Sequence, residues 1–150
     1  MKVIVENKKA YFNYQILDKY KAGIALQGQE VKSVKAGKIS LKGAYVVVKG
    51  EEVFLIGATI PPWQPKNAPQ DYDPKRSRKL LLRKPEIKKL IGLSAQKGLT
   101  MIPLLVYTIR DKIKLEFGLV RGKKKADKKE KIKKREIDRE IQRALKEKLQ

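Results

Sequence analysis

Leu99-Thr100-Met101-Ile102-Pro103-Leu104-Leu105-Val106-Tyr107-Thr108-Ile109 runs into Arg110-Asp111-Lys112 and returns as Ile113-Lys114-Leu115-Glu116-Phe117-Gly118-Leu119-Val120. Two apolar, β-prone runs around a short polar break predict an antiparallel hairpin. In the second run Ile113, Leu115, Phe117 and Leu119 alternate with Lys114, Glu116 and Gly118. Period-two alternation of that kind predicts a half-buried strand with its polar face in water. The fold class is therefore mainly β.

The same signals extend upstream. Ala44 to Lys49 and Val53 to Ile60 flank Gly50-Glu51-Glu52 as a second hairpin. Lys79 to Arg83 reads as a short strand, Tyr11 to Leu17 as an alternating strand carrying Phe12, Tyr14 and Ile16, and Ile24 with Leu26 as another. Two segments predict helices: Glu30 to Ala36, stopped by Gly37, and Pro85 to Lys97, opened by Pro85 and Glu86 and stopped by Gly98. Many short strands with two or three short helices predict a closed or partly closed antiparallel barrel, with the OB-fold as the leading candidate. Between the strands, Pro61 to Lys75 holds five of the seven prolines and the only tryptophan, Trp63. Trp63 and Tyr72 are candidates either to stack on bases or to pin the loop to the barrel.

Charge sets the partner. The chain has 150 residues, with 37 Lys and Arg against 16 Asp and Glu, a formal +21. Residues 121–150 hold 14 basic and 6 acidic residues, and residues 1–120 hold 23 and 10. The last thirty residues also lack aromatics and proline, so a boundary is expected near Arg121, with a barrel over 1–120 and a basic tail over 121–150. A surplus this large calls for a polyanion. The longest largely apolar stretch, Leu99 to Ile109, falls well short of the roughly 20 residues a spanning helix needs. With no signal-peptide core near Met1 and no lipidation motif, a cytoplasmic protein without a membrane partner is expected.

Four basic clusters punctuate the chain. They are Lys8-Lys9, the three-spaced Lys32, Lys35 and Lys38, Lys75-Arg76-Ser77-Arg78-Lys79, and Arg121-Gly122-Lys123-Lys124-Lys125. One such cluster is ordinarily a solvated surface, whereas four on a small barrel predict phosphate contact. No recognition-helix motif, zinc finger or heptad-linked basic region is present, which favours RNA over DNA. In a helical reading of the tail, Lys131, Arg135, Arg139 and Arg143 form one ridge, with Ile137, Ile141, Leu145 and Leu149 nearly opposite. Stacked like charges and an apolar ridge with nothing to cover it predict a tail disordered alone and helical when bound. The competing reading is a stable helix packed on the barrel.

Catalysis finds little support. The sequence has no Cys and no His, hence no thiolate nucleophile, disulfide or imidazole base, and it has no phosphate-binding glycine loop. Glu51-Glu52 and Asp111 fall in hairpin turns, and Asp71-x-Asp73 beside Pro74 reads as a turn before it reads as a metal site. No enzyme activity, metal or cofactor is expected. A carboxylate-metal nuclease is the residual alternative.

Several ordered segments resemble one family, the SsrA-binding proteins, or small protein B. They are Asn7-Lys8-Lys9-Ala10 before an aromatic strand, Gly28-Gln29-Glu30-Val31-Lys32-Ser33-Val34-Lys35-Ala36-Gly37-Lys38, Asp73-Pro74-Lys75-Arg76-Ser77-Arg78-Lys79-Leu80-Leu81-Leu82, Gly118-Leu119-Val120-Arg121-Gly122-Lys123-Lys124, and Asp127-Lys128-Lys129-Glu130. The resemblance implies an OB-fold adaptor that binds the tRNA-like domain of transfer-messenger RNA and delivers it to stalled ribosomes for tagging of the nascent chain. The implied partners are that RNA, bound one to one by a monomer, and the ribosome with its ribosomal RNA. The alternative is a general RNA-binding or ribosome-associated OB protein. By position, Asn7 and Leu81 match RNA contacts of the family. The motifs extend the RNA-binding set to Lys8, Lys9, Glu30, Lys32, Lys35, Lys38, Arg76, Arg78, Lys79, Lys123 and Lys124. Asp127, Lys128, Lys129, Ile132, Lys133, Arg135 and Glu136 match the ribosome-binding tail, which would occupy the vacant mRNA channel. Lys21 stands where the family commonly has a glutamate linked to RNA binding, so that role does not carry over, and Ala126 where an aromatic or His is common. Lys129 replaces a common Arg, keeping the charge without the planar fork.

Overall fold

The computed structural model describes residues 1–122 and Arg139. In chain order the elements are β1 (Lys2–Glu6), α1 (Lys8–Asn13), β2 (Tyr14–Ile24), α2 (Gly28–Lys35), β3 (Tyr45–Lys49), β4 (Glu52–Ile56), a 3-10 turn (Pro65–Asn67), β5 (Arg78–Leu81), α3 (Lys84–Ser94), β6 (Leu99–Ile109) and β7 (Lys112–Gly122). The β6–β7 hairpin is the long ladder expected, running from Leu99↔Arg121 to Ile109↔Lys112. Its turn places Arg110 at φ 50° and Asp111 at φ 63°. Two central residues at positive φ are what a two-residue hairpin needs to match strand twist.

The strands form one antiparallel sheet in the order β1-β6-β3-β4-β5-β2-β7, and the β6–β7 pairing closes it into a ring. One edge of β6 takes β7. The other is shared by β3, at Val46↔Met101, and by β1, which pairs with residues 105–108. Phe117, Leu55, Leu80 and Leu115 fill the ring. From the helices, α2 adds Val34 and α3 adds Leu90, both fully buried in the same core. Each large side chain so buried is worth about 1.5–3 kcal/mol. The result is the mainly β barrel that the sequence predicts, with three helices, of which α1 overlaps the start of an expected strand.

The N-terminal third departs from expectation. Tyr11 to Leu17 is not one strand: Lys8–Asn13 is helical and the strand starts at Tyr14. A second cluster explains the helix. Ala10 is buried with Ile102, Leu104 and Val120, and Tyr11, Tyr14 and Ile16 pack around it. Pro103 has no N–H, and the β1–β6 and β6–β7 ladders leave carbonyls near it for Asn7. The Asn7 side-chain amide donates to the Pro103 carbonyl at 2.9 Å, and its backbone N–H donates to the Leu104 carbonyl at 2.8 Å. This cluster also covers the end of β7 that was expected to face water, since Gly118 and Val120 are buried along with Phe117 and Leu119. A Cβ on Gly118 would lie 3.0 Å from Leu104 Cδ1, so any larger residue there would have to push the Leu104 side chain aside.

Three smaller differences concern strand ends. Ile24 ends the long β2, and Leu26 lies outside any strand. The strand expected over Val53 to Ile60 ends at Ile56, where Gly57 turns the chain at φ +79°, and Thr59 makes an isolated bridge to Ser40. β1 had no counterpart among the expected strands.

Candidate nucleic-acid interface

Glu30 organises one side of the barrel. It sits in the first turn of α2, and its Oε1 accepts the Gln27 backbone N–H at 2.8 Å, capping the helix. Its other partners come from the loop and strand about 45 residues later. Oε2 accepts Arg78 Nε at 3.0 Å and Arg78 Nη2 at 2.7 Å, and Arg76 Nε at 3.1 Å. Arg76 Nη2 also donates to Oε1. Arg78 then reaches the carbonyls of Ala58 at 2.8 Å and Pro74 at 2.9 Å. Both Glu30 and Arg78 are 0% exposed. Burial pushes the Glu30 carboxyl toward neutrality. The hydrogen bonds from Arg76, the Gln27 N–H and Arg78 outweigh it and hold the pKa at about 2.

Two of the expected RNA-binding residues therefore cannot meet a surface ligand as they sit. Glu30 and Arg78 are enclosed and face each other, where the sequence reading had grouped them with the surface cations. Arg76 is part of the same network but keeps 28% of its side chain exposed. Asn7 is half-buried and spends its amide on Pro103. Lys8, Lys9, Lys32, Lys35, Lys38 and Lys79 are exposed. Lys123, Lys124, Asp127, Lys128, Lys129, Ile132, Lys133, Arg135 and Glu136, with the expected helical ordering of the tail, lie outside the described residues.

Leu81 is 54% exposed, an unusual position for a strand leucine. It stands in an open groove of about 1330 Å³ between α3, β5 and the ends of β2 and the β6–β7 hairpin. Six cationic side chains line it (Lys21, Lys79, Arg83, Lys84, Lys88 and Lys114) against Glu51, Glu52 and Glu86. Ile87, Ile91 and Ile109 give it an apolar surface beside Leu81. Motif spacing picked out only Lys79 and Leu81 of these. Lys21, Lys84, Lys88 and Lys114 come from three separate elements and are brought together by the barrel's closure. A basic wall over an apolar floor suits phosphate and ribose or base contact together.

The proline-rich loop is anchored at its roots. Ser33 Oγ donates to the Pro61 carbonyl at 2.7 Å, and the Ile60 N–H donates to the Pro74 carbonyl at 2.9 Å. The Tyr72 hydroxyl lies 2.7 Å from the Ile60 carbonyl and 3.2 Å from Glu30 Oε2. Burial, then the charge of Glu30, raise its pKa. Tyr72 thus pins the loop, and Trp63 remains 36% exposed. Asp73 Oδ1 accepts the Lys75 N–H at 2.9 Å, the turn expected there. Among the described residues no group of three Asp or Glu is placed to hold a metal ion, and no helix is long and apolar enough to cross a membrane.

The chain has relatives of known kind across nearly its whole length. An SsrA-binding protein of Acaryochloris marina is 48% identical over 145 residues, covering 97% of this chain and 94% of the relative. Another, of Cupriavidus necator, is 49% identical over 143 residues, covering 95% of each. A solved chain described as "tmRNA-SmpB: a journey to the center of the bacterial ribosome" is 44% identical, with a TM-score of 0.67, and covers 83% of this chain and 87% of that one. The family described as SmpB protein matches residues 4–147. By that span and those identities, the chain belongs to the SmpB family, the SsrA-binding proteins.

Proposed function

We propose that this protein is an RNA-binding adaptor of trans-translation, working in the cytoplasm as a monomer on one RNA. Its barrel binds the tRNA-like domain of transfer-messenger RNA, and residues 121–150 engage the ribosome and its RNA along the vacant mRNA channel. The observation that carries the reading is the near full-length likeness to SsrA-binding proteins, joined to a barrel that keeps the matched shape and sequence of a tmRNA-SmpB chain. Net charge and the exposed lysines supply the physical means.

In this reading the cations divide by depth. Lys8, Lys9, Lys32, Lys35, Lys38 and Lys79 meet phosphates directly, and Arg76 does so with its exposed edge. Leu81 offers an apolar contact inside the basic groove. Glu30 and Arg78 act through position: they fix α2 against the loop before β5, and so fix the lysines that α2 carries. Asn7 holds the helix that presents Lys8 and Lys9. Lys21 stands in the groove wall among the other cations.

Competition at physiological salt tests the proposal. Transfer-messenger RNA should displace the protein from an equal length of unstructured RNA, and equal binding to both would leave only a general RNA-binding protein. Truncation after Arg121 should leave affinity for the tRNA-like domain nearly intact and abolish tagging in a reconstituted translation system. Loss of RNA affinity on truncation would overturn the division of labour. Prolonged incubation of labelled RNA with Mg²⁺ or Mn²⁺ should leave it intact.

A further inference from the structure

The groove beside Leu81 does not account for Trp63. This ring projects from the proline-rich loop, 36% exposed, while Tyr72 and the Glu30 network hold the loop's roots. Five prolines lie between Pro61 and Pro74, and they restrict the loop before any ligand arrives. The loop thus carries a large apolar ring at a fixed place on a highly basic surface. Lys38, at the exit of α2, sets its ammonium over a face of the Trp63 ring, 5.2 Å from its centre. Lys38 is itself held, because its backbone N–H donates to the Ser33 carbonyl at 2.9 Å and Ser33 Oγ bonds Pro61. Ser33 therefore couples the lysine and the tryptophan loop to one buried residue.

We propose that Trp63 and Lys38 form a stacking platform for an unpaired nucleobase of the bound RNA, the indole taking the base and the ammonium the adjoining phosphate. The inference rests on the RNA-binding reading above and adds a single-stranded contact to it. An indole accepts any base, because every base has a π-face; the flexible Lys38 ammonium, which covers a face of the ring in the free protein, moves off to the backbone phosphate as the base stacks. Lys32 and Lys35, exposed on α2, extend the positive charge from the same helix. The chemistry calls for a flipped or looped nucleotide, since a base inside a duplex cannot present its face.

Trp63 is the only tryptophan, so its fluorescence reports the platform directly in the full-length protein. The probes are a short oligouridylate and a ribose-phosphate oligomer of equal length without bases. Labelled transfer-messenger RNA, followed by anisotropy, reports binding independently. Stacking predicts that the oligouridylate quenches the indole and that the abasic oligomer does not. Trp63→Leu should weaken oligouridylate binding about tenfold, within the range a base–aromatic stack carries, and Trp63→Phe should recover part of it. Because about two-thirds of Trp63 is covered, the thermal midpoint of each variant is measured alongside and binding is compared where both are fully folded. Unchanged fluorescence at saturating RNA, or equal quenching by the abasic oligomer, would overturn the platform while leaving RNA binding in place. Absence of any anisotropy change would instead overturn the RNA-binding reading on which it rests.

Discussion

Two kinds of carboxylate–cation contact coexist in this barrel. Glu30 meets Arg76 and Arg78 inside the protein, with Glu30 and Arg78 closed to water. Lys79–Glu52 at 3.4 Å and Lys89–Asp18 at 3.9 Å stand on the surface, with every partner about half exposed or more. The charges are alike and the consequences differ. A buried pair cannot be undone singly without stranding an ion in a medium that solvates it poorly, whereas water readily replaces either partner of an exposed pair. The first kind fixes the fold, and the second leaves its lysines available to another anion.

Removing one partner of the buried set should have the largest effect. Glu30→Ala leaves the enclosed Arg78 without its carboxylate and should cost about 3–5 kcal/mol in urea unfolding. A cost near that of a surface pair would mean that Arg78 is reached by water. Acid comes next. Because the folded Glu30 pKa is depressed to about 2, from an ordinary 4.5, its contribution is complete above about pH 4.5 and is lost as pH falls toward 2. The amount is on the order of 3 kcal/mol, and a Glu30→Gln protein should lack that part of the decline when midpoints are followed across the window. A smaller change, Tyr72→Phe, leaves the Ile60 carbonyl without its hydroxyl and should cost about 1 kcal/mol. The smallest effect on stability belongs to Lys79→Ala, below about 1 kcal/mol, yet that variant should bind RNA more weakly. The slope of log affinity against log salt should become shallower by about 0.9, because one phosphate fewer is neutralised. An unchanged slope would remove Lys79 from the interface.

The contrast also explains what was legible in the sequence. The β6–β7 and β3–β4 hairpins, α2 and α3 declare themselves through local alternation, turn residues and stops, all of which act within a few residues. α1 was hidden because six residues are too few for a helical period, and the aromatics from Tyr11 to Ile16 imitate strand alternation. What makes it a helix is packing against Leu104 and Val120, far along the chain. β1 likewise owes its existence to β6, a hundred residues away. As for the site, Lys79 and the α2 lysines sit exposed as their motifs suggest, but charge alone does not distinguish a surface arginine from an enclosed one. Two signals pointed inward: Arg78 shares the parity of the core residue Leu80, and Glu30 stands where a carboxylate caps its own helix. Lys21, Lys84, Lys88 and Lys114 share a groove only once the ring is closed.

The way β7 ends has a mechanical consequence. At its last residues β7 is paired with β2 on one side, at Tyr14↔Gly122, and with β6 on the other, at Leu99↔Arg121. Arg121 Nη2 also donates to Gln15 Oε1 at 2.7 Å. A pull on the chain beyond Gly122 along the strand axis loads the β2–β7 and β6–β7 ladders in shear, so many hydrogen bonds must fail together instead of one after another.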